Sequence, residues 1–166
     1  MNQNNSYAGK SGGGRGLNSQ YGDRYVIKPA VEIKSLALSE GLFDAQALKI
    51  AETFVGVDNF GNTIGVSSTQ LRRIFDEVKR FERVLSLSGS KWEEQLPYIK
   101  MIKSKVAYAV ARASKQKSAE KGVYKNLESF INSGISLIKT QKDYSVFVAL
   151  FEAVYGFYYE MSPKKD

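Results

Sequence analysis

The 166 residues carry 24 Lys and Arg against 17 Asp and Glu, a formal charge of +7, and are 43% hydrophobic, enough to build one globular domain around a core. Neither cysteine nor histidine occurs, which excludes disulfides, thiolate or imidazole metal sites, cysteine nucleophiles and the commonest general base. No apolar run nears the roughly 18–20 residues of a bilayer span, so no membrane association is expected and the cytoplasm is the expected location.

Residues 1–25 are Gly, Asn, Ser and Gln with few apolar side chains, a composition that cannot offset its own ordering entropy. They are read as a disordered tail in which Lys10, Arg15 and Arg24 are interleaved with Tyr7, Tyr21 and Tyr25. Residues 26–166 are read as a single helical domain. Pro29 and Ala30 open a first helix reaching Glu40, Gly41 interrupts, and Asp44 is placed to cap a second helix ending near Gly56. The Asp-Asn and Gly-Asn steps between Val57 and Gly65 predict a loop.

Ser67 with Gln70 three residues on forms a capping-box signature. Behind it Leu71, Ile74, Phe75, Val78, Phe81 and Leu85 recur at helical spacing and predict one buried face. Ser90 with Glu93 repeats the signature, and Pro97 is expected to kink or restart that helix. From Tyr98 the positions Tyr98, Ile102, Val106, Ala109 and Ala113 form a narrow apolar stripe. The polar run from Ser114 to Gly122 reads as a connection. A further helix carries Tyr124, Leu127, Ile131, Ile135 and Ile138. Asp143 is read as the cap of the last, whose core positions are Phe147, Leu150, Phe151, Val154, Phe157 and Tyr158. Strand-like alternation is absent over any comparable length, so the fold class is all-α, a small bundle of about five to six helices behind a flexible tail.

Little in the chain points to catalysis. Gly9-Lys10-Ser11 resembles the end of a phosphate loop, but Asn4 stands where the motif needs its first glycine. Asp76 and Glu77 lie three or four residues from Arg72, Arg73 and Arg80 and read as intrahelical ion pairs. Glu93 and Glu94 complement a helix N-terminus. No acids group as a metal cage or an acid/base pair, so no catalytic residue, metal site or cofactor is assigned.

The charge itself is the stronger signal. Between Pro97 and Lys125 stand eight basic side chains and one acid, Glu120, a surplus equal to that of the whole chain. Met101, Lys105, Tyr108, Arg112 and Lys115 follow at alternating spacings of 4 and 3, which keeps them within one arc of a helix. A solvated helix interleaves signs to gain i, i+4 pairs, whereas here no acid lies between Tyr98 and Ala119. Cations around an aromatic ring suit a polyanion with stackable bases. Arg72, Lys79 and Arg83, with Arg73 and Arg80 alongside, make a second patch that Asp76 and Glu77 partly neutralise. The Tyr155 and Tyr159 side of the last helix reads as an exposed aromatic strip, a place for self-association or a partner subunit. A scaffold that binds acidic protein partners only is the alternative reading of the same features.

The run Pro97-Tyr-Ile-Lys-Met-Ile-Lys-Ser-Lys105-Val-Ala-Tyr108-Ala-Val-Ala-Arg112 resembles a segment of the small helical subunit of the type III-A CRISPR–Cas effector, the Csm complex. In that family a lysine, an Ala-Tyr pair and an arginine share one helix. Gln70-Leu-Arg-Arg-Ile-Phe-Asp-Glu-Val is similar upstream, as is the Phe-Glu-Ala-Val-Tyr-Gly-Phe core of Phe147 to Tyr159 downstream. The resemblance runs from Ser67 to Met161 and leaves the tail and the first helical pair outside it. It implies a non-catalytic subunit of an antiviral ribonucleoprotein complex. Copies of it stack along the effector and hold the backbones of guide RNA and target RNA without reading sequence. Its partners are then the other effector subunits, including the large subunit and the backbone subunit. The family's basic positions fall on Lys105 and Arg112, with Arg72 and Arg73 in the upstream match. Helical geometry alone adds Lys79, Arg80, Lys103 and Lys115 to the RNA-binding set, with Tyr108 between them.

Overall fold

A computed structural model describes residues 26–116 and 120–163; the expected tail lies outside them. The described chain runs β1 (Val26–Ile27), α1 (Ala47–Glu52), β2 (Val55–Val57), β3 (Thr63–Gly65), α2 (Ser68–Ser86), α3 (Trp92–Lys100), α4 (Ile102–Gln116), α5 (Lys121–Leu137) and α6 (Gln141–Met161). It is the expected helical bundle with a small sheet attached. α6 is the central rod and packs against α1, α2 and α5, while α4 lies against α5 and α2. Phe54, Phe130, Phe147 and Phe151 meet around it with no exposed surface, and Tyr158 joins them. Of the six core positions expected in the last helix, five are buried and Phe157 is half-buried.

The N-terminal third departs from expectation. No helix forms between Pro29 and Glu40; that stretch runs without regular structure across the bundle. Short helices are marginal by themselves, so tertiary contacts decide such a segment. Here they come from α5. Asn126 Nδ2 donates to the carbonyls of Lys28 and Thr53 at 2.8 Å each, and the Ile33 amide donates to Ser133 Oγ at 3.1 Å. These bonds satisfy the backbone in an open conformation while Ile33 and Leu36 bury their side chains. Asp44 caps nothing; it lies inside a π-turn, Leu42–Gln46, that runs directly into α1.

The loop expected from Val57 to Gly65 is a hairpin. β2 pairs antiparallel with β3, Gly56 facing Ile64, and β1 pairs with the other side of β2. Strands of two or three residues are too short to show alternation. The turn is built by Asp58, which accepts hydrogen bonds from the Phe60 and Asn62 amides at 2.8 and 2.9 Å. Gly61 completes it at φ +80°, a conformation that costs glycine nothing.

Helix ends correct the capping scheme in detail. Ser67 holds the N-cap position of α2, but its hydroxyl closes no box, and its amide donates to the Tyr124 hydroxyl at 2.9 Å. Lys91, not Ser90, precedes α3. On α6 the cap is Thr140: its hydroxyl accepts from the Asp143 amide, and the Asp143 carboxylate accepts from the Lys139 and Thr140 amides at 3.1 and 2.9 Å. Asp143 is thus the third helical residue of a complete box. Pro97 sits inside α3 without ending it, and the break falls at Met101. That break shifts the phase of the apolar stripe. Ile99, Ile102, Val106, Val110 and Ala113 enter the core, whereas Tyr98, expected there, is exposed.

α5 and α6 approach closely at Gly134. A β-carbon at that position would stand 2.6 Å from Phe147 Cδ2 and 3.1 Å from Ile33 Cδ1, and neither neighbour has free space to retreat into. Gly134→Ala should therefore destabilise the protein by about 1–3 kcal/mol, although alanine is the better helix former by about 1 kcal/mol. Chemical denaturation of the variant measures this, and a stabilised variant would show that the interhelical contact yields easily.

Candidate nucleic-acid interface

The basic helix keeps its alignment in space. Because α4 packs one face on α5 and lies along α2, its polar face and that of α2 flank a groove of about 290 Å³. Arg73 and Glu77 enter from α2; Lys105, Tyr108 and Arg112 enter from α4. The floor is apolar, made by Ile74, Ile102, Val106 and Ala109. This explains why Ile74, expected in the core, is only half-buried. The Tyr108 ring stands 71% exposed at the edge and stacks on no other ring among the described residues.

Glu77 sets the electrostatics. Its carboxylate accepts from Arg80 at 2.9 and 3.1 Å and from Lys105 Nζ at 2.5 Å. The Arg80 hydrogen bonds, more than the Lys105 contact and against partial burial, hold its carboxyl at about 2, far below the usual carboxylate range. Lys105 is therefore not a bare cation: half of its side chain is open to solvent, but its charge is already answered. Arg73 and Arg112 make no ion pair among the described residues, and neither does Lys115 at the end of α4.

Other members of the expected RNA-binding set are occupied elsewhere. Arg72 lies 3.8 Å from Asp76 one turn along its own helix. Lys79 lies 3.0 Å from both Glu82 and Glu152, against α6 and away from the groove, and these pairs raise its pKa. Arg80 spans Glu77 and lies 4.2 Å over the Phe81 ring. Lys103 donates to Ser136 Oγ on α5 at 2.6 Å. Lys100, one of the eight cations of the ribbon, donates to the Ile135 and Ile138 carbonyls and so closes the C-terminus of α5. Burial, with Lys103 nearby, lowers its pKa.

The aromatic strip shrinks as well. Tyr155 is half-buried and stacks on Phe75 with centroids 5.2 Å apart and rings 5° from parallel, so it is engaged within the chain. Tyr159 remains 70% exposed. The sequence reading overlooked Gln70 in the groove, whose Oε1 is buried with no hydrogen-bond partner among the described residues, and the reach of Glu77 across to α4. A contact between helices 28 residues apart leaves no local signal. Among the described residues no group of acids is placed to hold a metal ion, and no helix is long and apolar enough to cross a membrane.

The model of the family described as Csm2 Type III-A matches residues 45–163, which begins within the π-turn and takes in every element from α1 to the end of α6. The chain belongs to the Csm2 family. It is a structural subunit of the multisubunit type III-A CRISPR effector, a family that is generally non-catalytic. No curated protein and no solved structure matches it. The matched residues begin upstream of Ser67, so the second predicted helix belongs to the Csm2 region although the residue-level resemblance did not reach it.

Proposed function

We propose that this Csm2 subunit binds guide and target RNA through their backbones, using the α2–α4 groove and the end of α4, and performs no chemistry of its own. The observation that carries the reading is that Arg73 from α2 and Arg112 from α4 line one groove, two cations with no ion-pair partner among the described residues, together with the exposed ring of Tyr108. Phosphate contact releases counterions and is indifferent to sequence, as suits a complex in which guide pairing supplies specificity. Lys105 and Lys115 extend the track, Lys105 by exchanging Glu77 for a phosphate. Neighbouring effector subunits and further copies of the chain share the work through multivalency, and the exposed Tyr159 is a contact point for one of them. Such a subunit works where the RNA is, in the cytoplasm.

Arg73→Ala combined with Arg112→Ala should weaken binding of unrelated single-stranded RNAs alike. The dependence of log affinity on log salt should flatten by up to ~1.4, at ~0.7 per lost phosphate contact. Lys105→Ala should do less, because Glu77 already holds its amine. Titration of two unrelated RNAs at several salt concentrations decides the matter: an unchanged affinity and slope in the double variant removes the groove as the RNA site.

A further inference from the structure

Backbone contact alone does not call for a hole. A flat row of arginines holds a phosphate chain as well, yet here the cations surround a cavity of about 290 Å³ with an apolar floor of Ile74, Val106 and Ala109. An aromatic ring, Tyr108, stands at its edge with 71% of its surface open. Gln70 also lines it, its Oε1 buried with no hydrogen-bond partner among the described residues. Apolar floor and free ring are what an unstacked base needs: a surface for its face and a ring to stack on. Arg73 and Arg112 line the same groove, within reach of the adjoining phosphates. We infer that the α2–α4 groove takes up one base splayed out of a single-stranded stretch of RNA, stacked on Tyr108. This rests on the RNA-binding reading and adds to it a demand for the base as well as the backbone. Because stacking tolerates any base, the pocket would register the presence of a base without reading its identity.

The test compares the full chain on three probes of equal length at low salt: a single-stranded oligouridine, an abasic oligomer with the same phosphates, and an oligomer carrying one 2-aminopurine. The wild type should prefer the base-bearing strand by about 5–150-fold, the range for one base–aromatic stack, and should quench the 2-aminopurine. Tyr108→Ala should abolish both the preference and the quenching, its loss of affinity falling on the base-bearing strand more than on the abasic one. Ala109→Leu, which fills the floor, should act in the same direction; circular dichroism establishes that each variant is folded. Equal wild-type affinity for base-bearing and abasic strands overturns the inference and leaves the backbone reading standing. So does a Tyr108→Ala variant that loses affinity equally for both. Binding to neither strand overturns the RNA reading and the pocket with it.

Discussion

Phe151→Ala should remove about 3–5 kcal/mol of stability, the usual cost of truncating a buried phenylalanine. The ring has no exposed surface and makes edge contacts with Phe75 and Phe130 at 5.4 and 5.3 Å, with Phe147 at 6.2 Å. It thereby joins α2, α5 and α6, so no single helix can shift to fill the space it leaves. For a chain of this size each kcal/mol is worth roughly 2–4 °C, so the melting temperature should fall by roughly 6–20 °C. The total is a large share of the roughly 5–15 kcal/mol that holds a domain folded. Calorimetry of the variant checks this. A drop equivalent to under about 1 kcal/mol would mean that the three helices do not depend on one another at this point.

The second expectation concerns Glu77. Glu77→Gln should raise RNA affinity, because it frees Lys105 and Arg80 from their carboxylate partner. The salt dependence should steepen by up to ~0.7 if Lys105 then meets a phosphate. In the free protein the same change should cost about 0–1 kcal/mol, the range for partly exposed pairs. Its pH dependence has a definite sign. The carboxyl is held at about 2 in the folded chain against an ordinary 4.5. A depressed carboxyl contributes stability that is present in full above its unfolded value and lost as pH falls toward the folded one. The gap between wild type and Glu77→Gln should therefore hold above about pH 5, narrow below 4.5 and close near 2. Asp143, also depressed by amide hydrogen bonds led by that from Lys139, loses its contribution in acid too, which is why the variant and not the wild type alone must be followed. A gap that stays constant from pH 6 to pH 3, or RNA affinity that does not rise, contradicts the role given to this acid.

The helical core was legible because it rests on local periodicity. Leu71, Val78, Phe81 and Leu85, or Leu127, Ile131 and Ile135, repeat at intervals only a helix can bury together. The same reasoning aligned Lys105, Tyr108 and Arg112 correctly. It failed where the deciding partner is distant in sequence. The amide of Asn126 and the hydroxyl of Ser133, about a hundred residues away, keep the segment after Lys28 open. The hairpin depends on a turn centred on Asp58 and on strands too short for a pattern. Around α2 and α4, the cations were visible in the sequence and their occupation was not. Glu152 holds Lys79, and Ser136 accepts a hydrogen bond from Lys103, through contacts that only the packed bundle creates.

The strap from Lys28 to Ser39 also bears on where this chain can be cut. Trimming it to the Csm2-matched residues would strip Ile33 from beside Gly134 and leave the Asn126 amide with one carbonyl in place of two. It would also take away β1 and open the outer edge of β2. A piece that keeps these contacts must therefore include the chain from Val26, some twenty residues ahead of the family's own boundary.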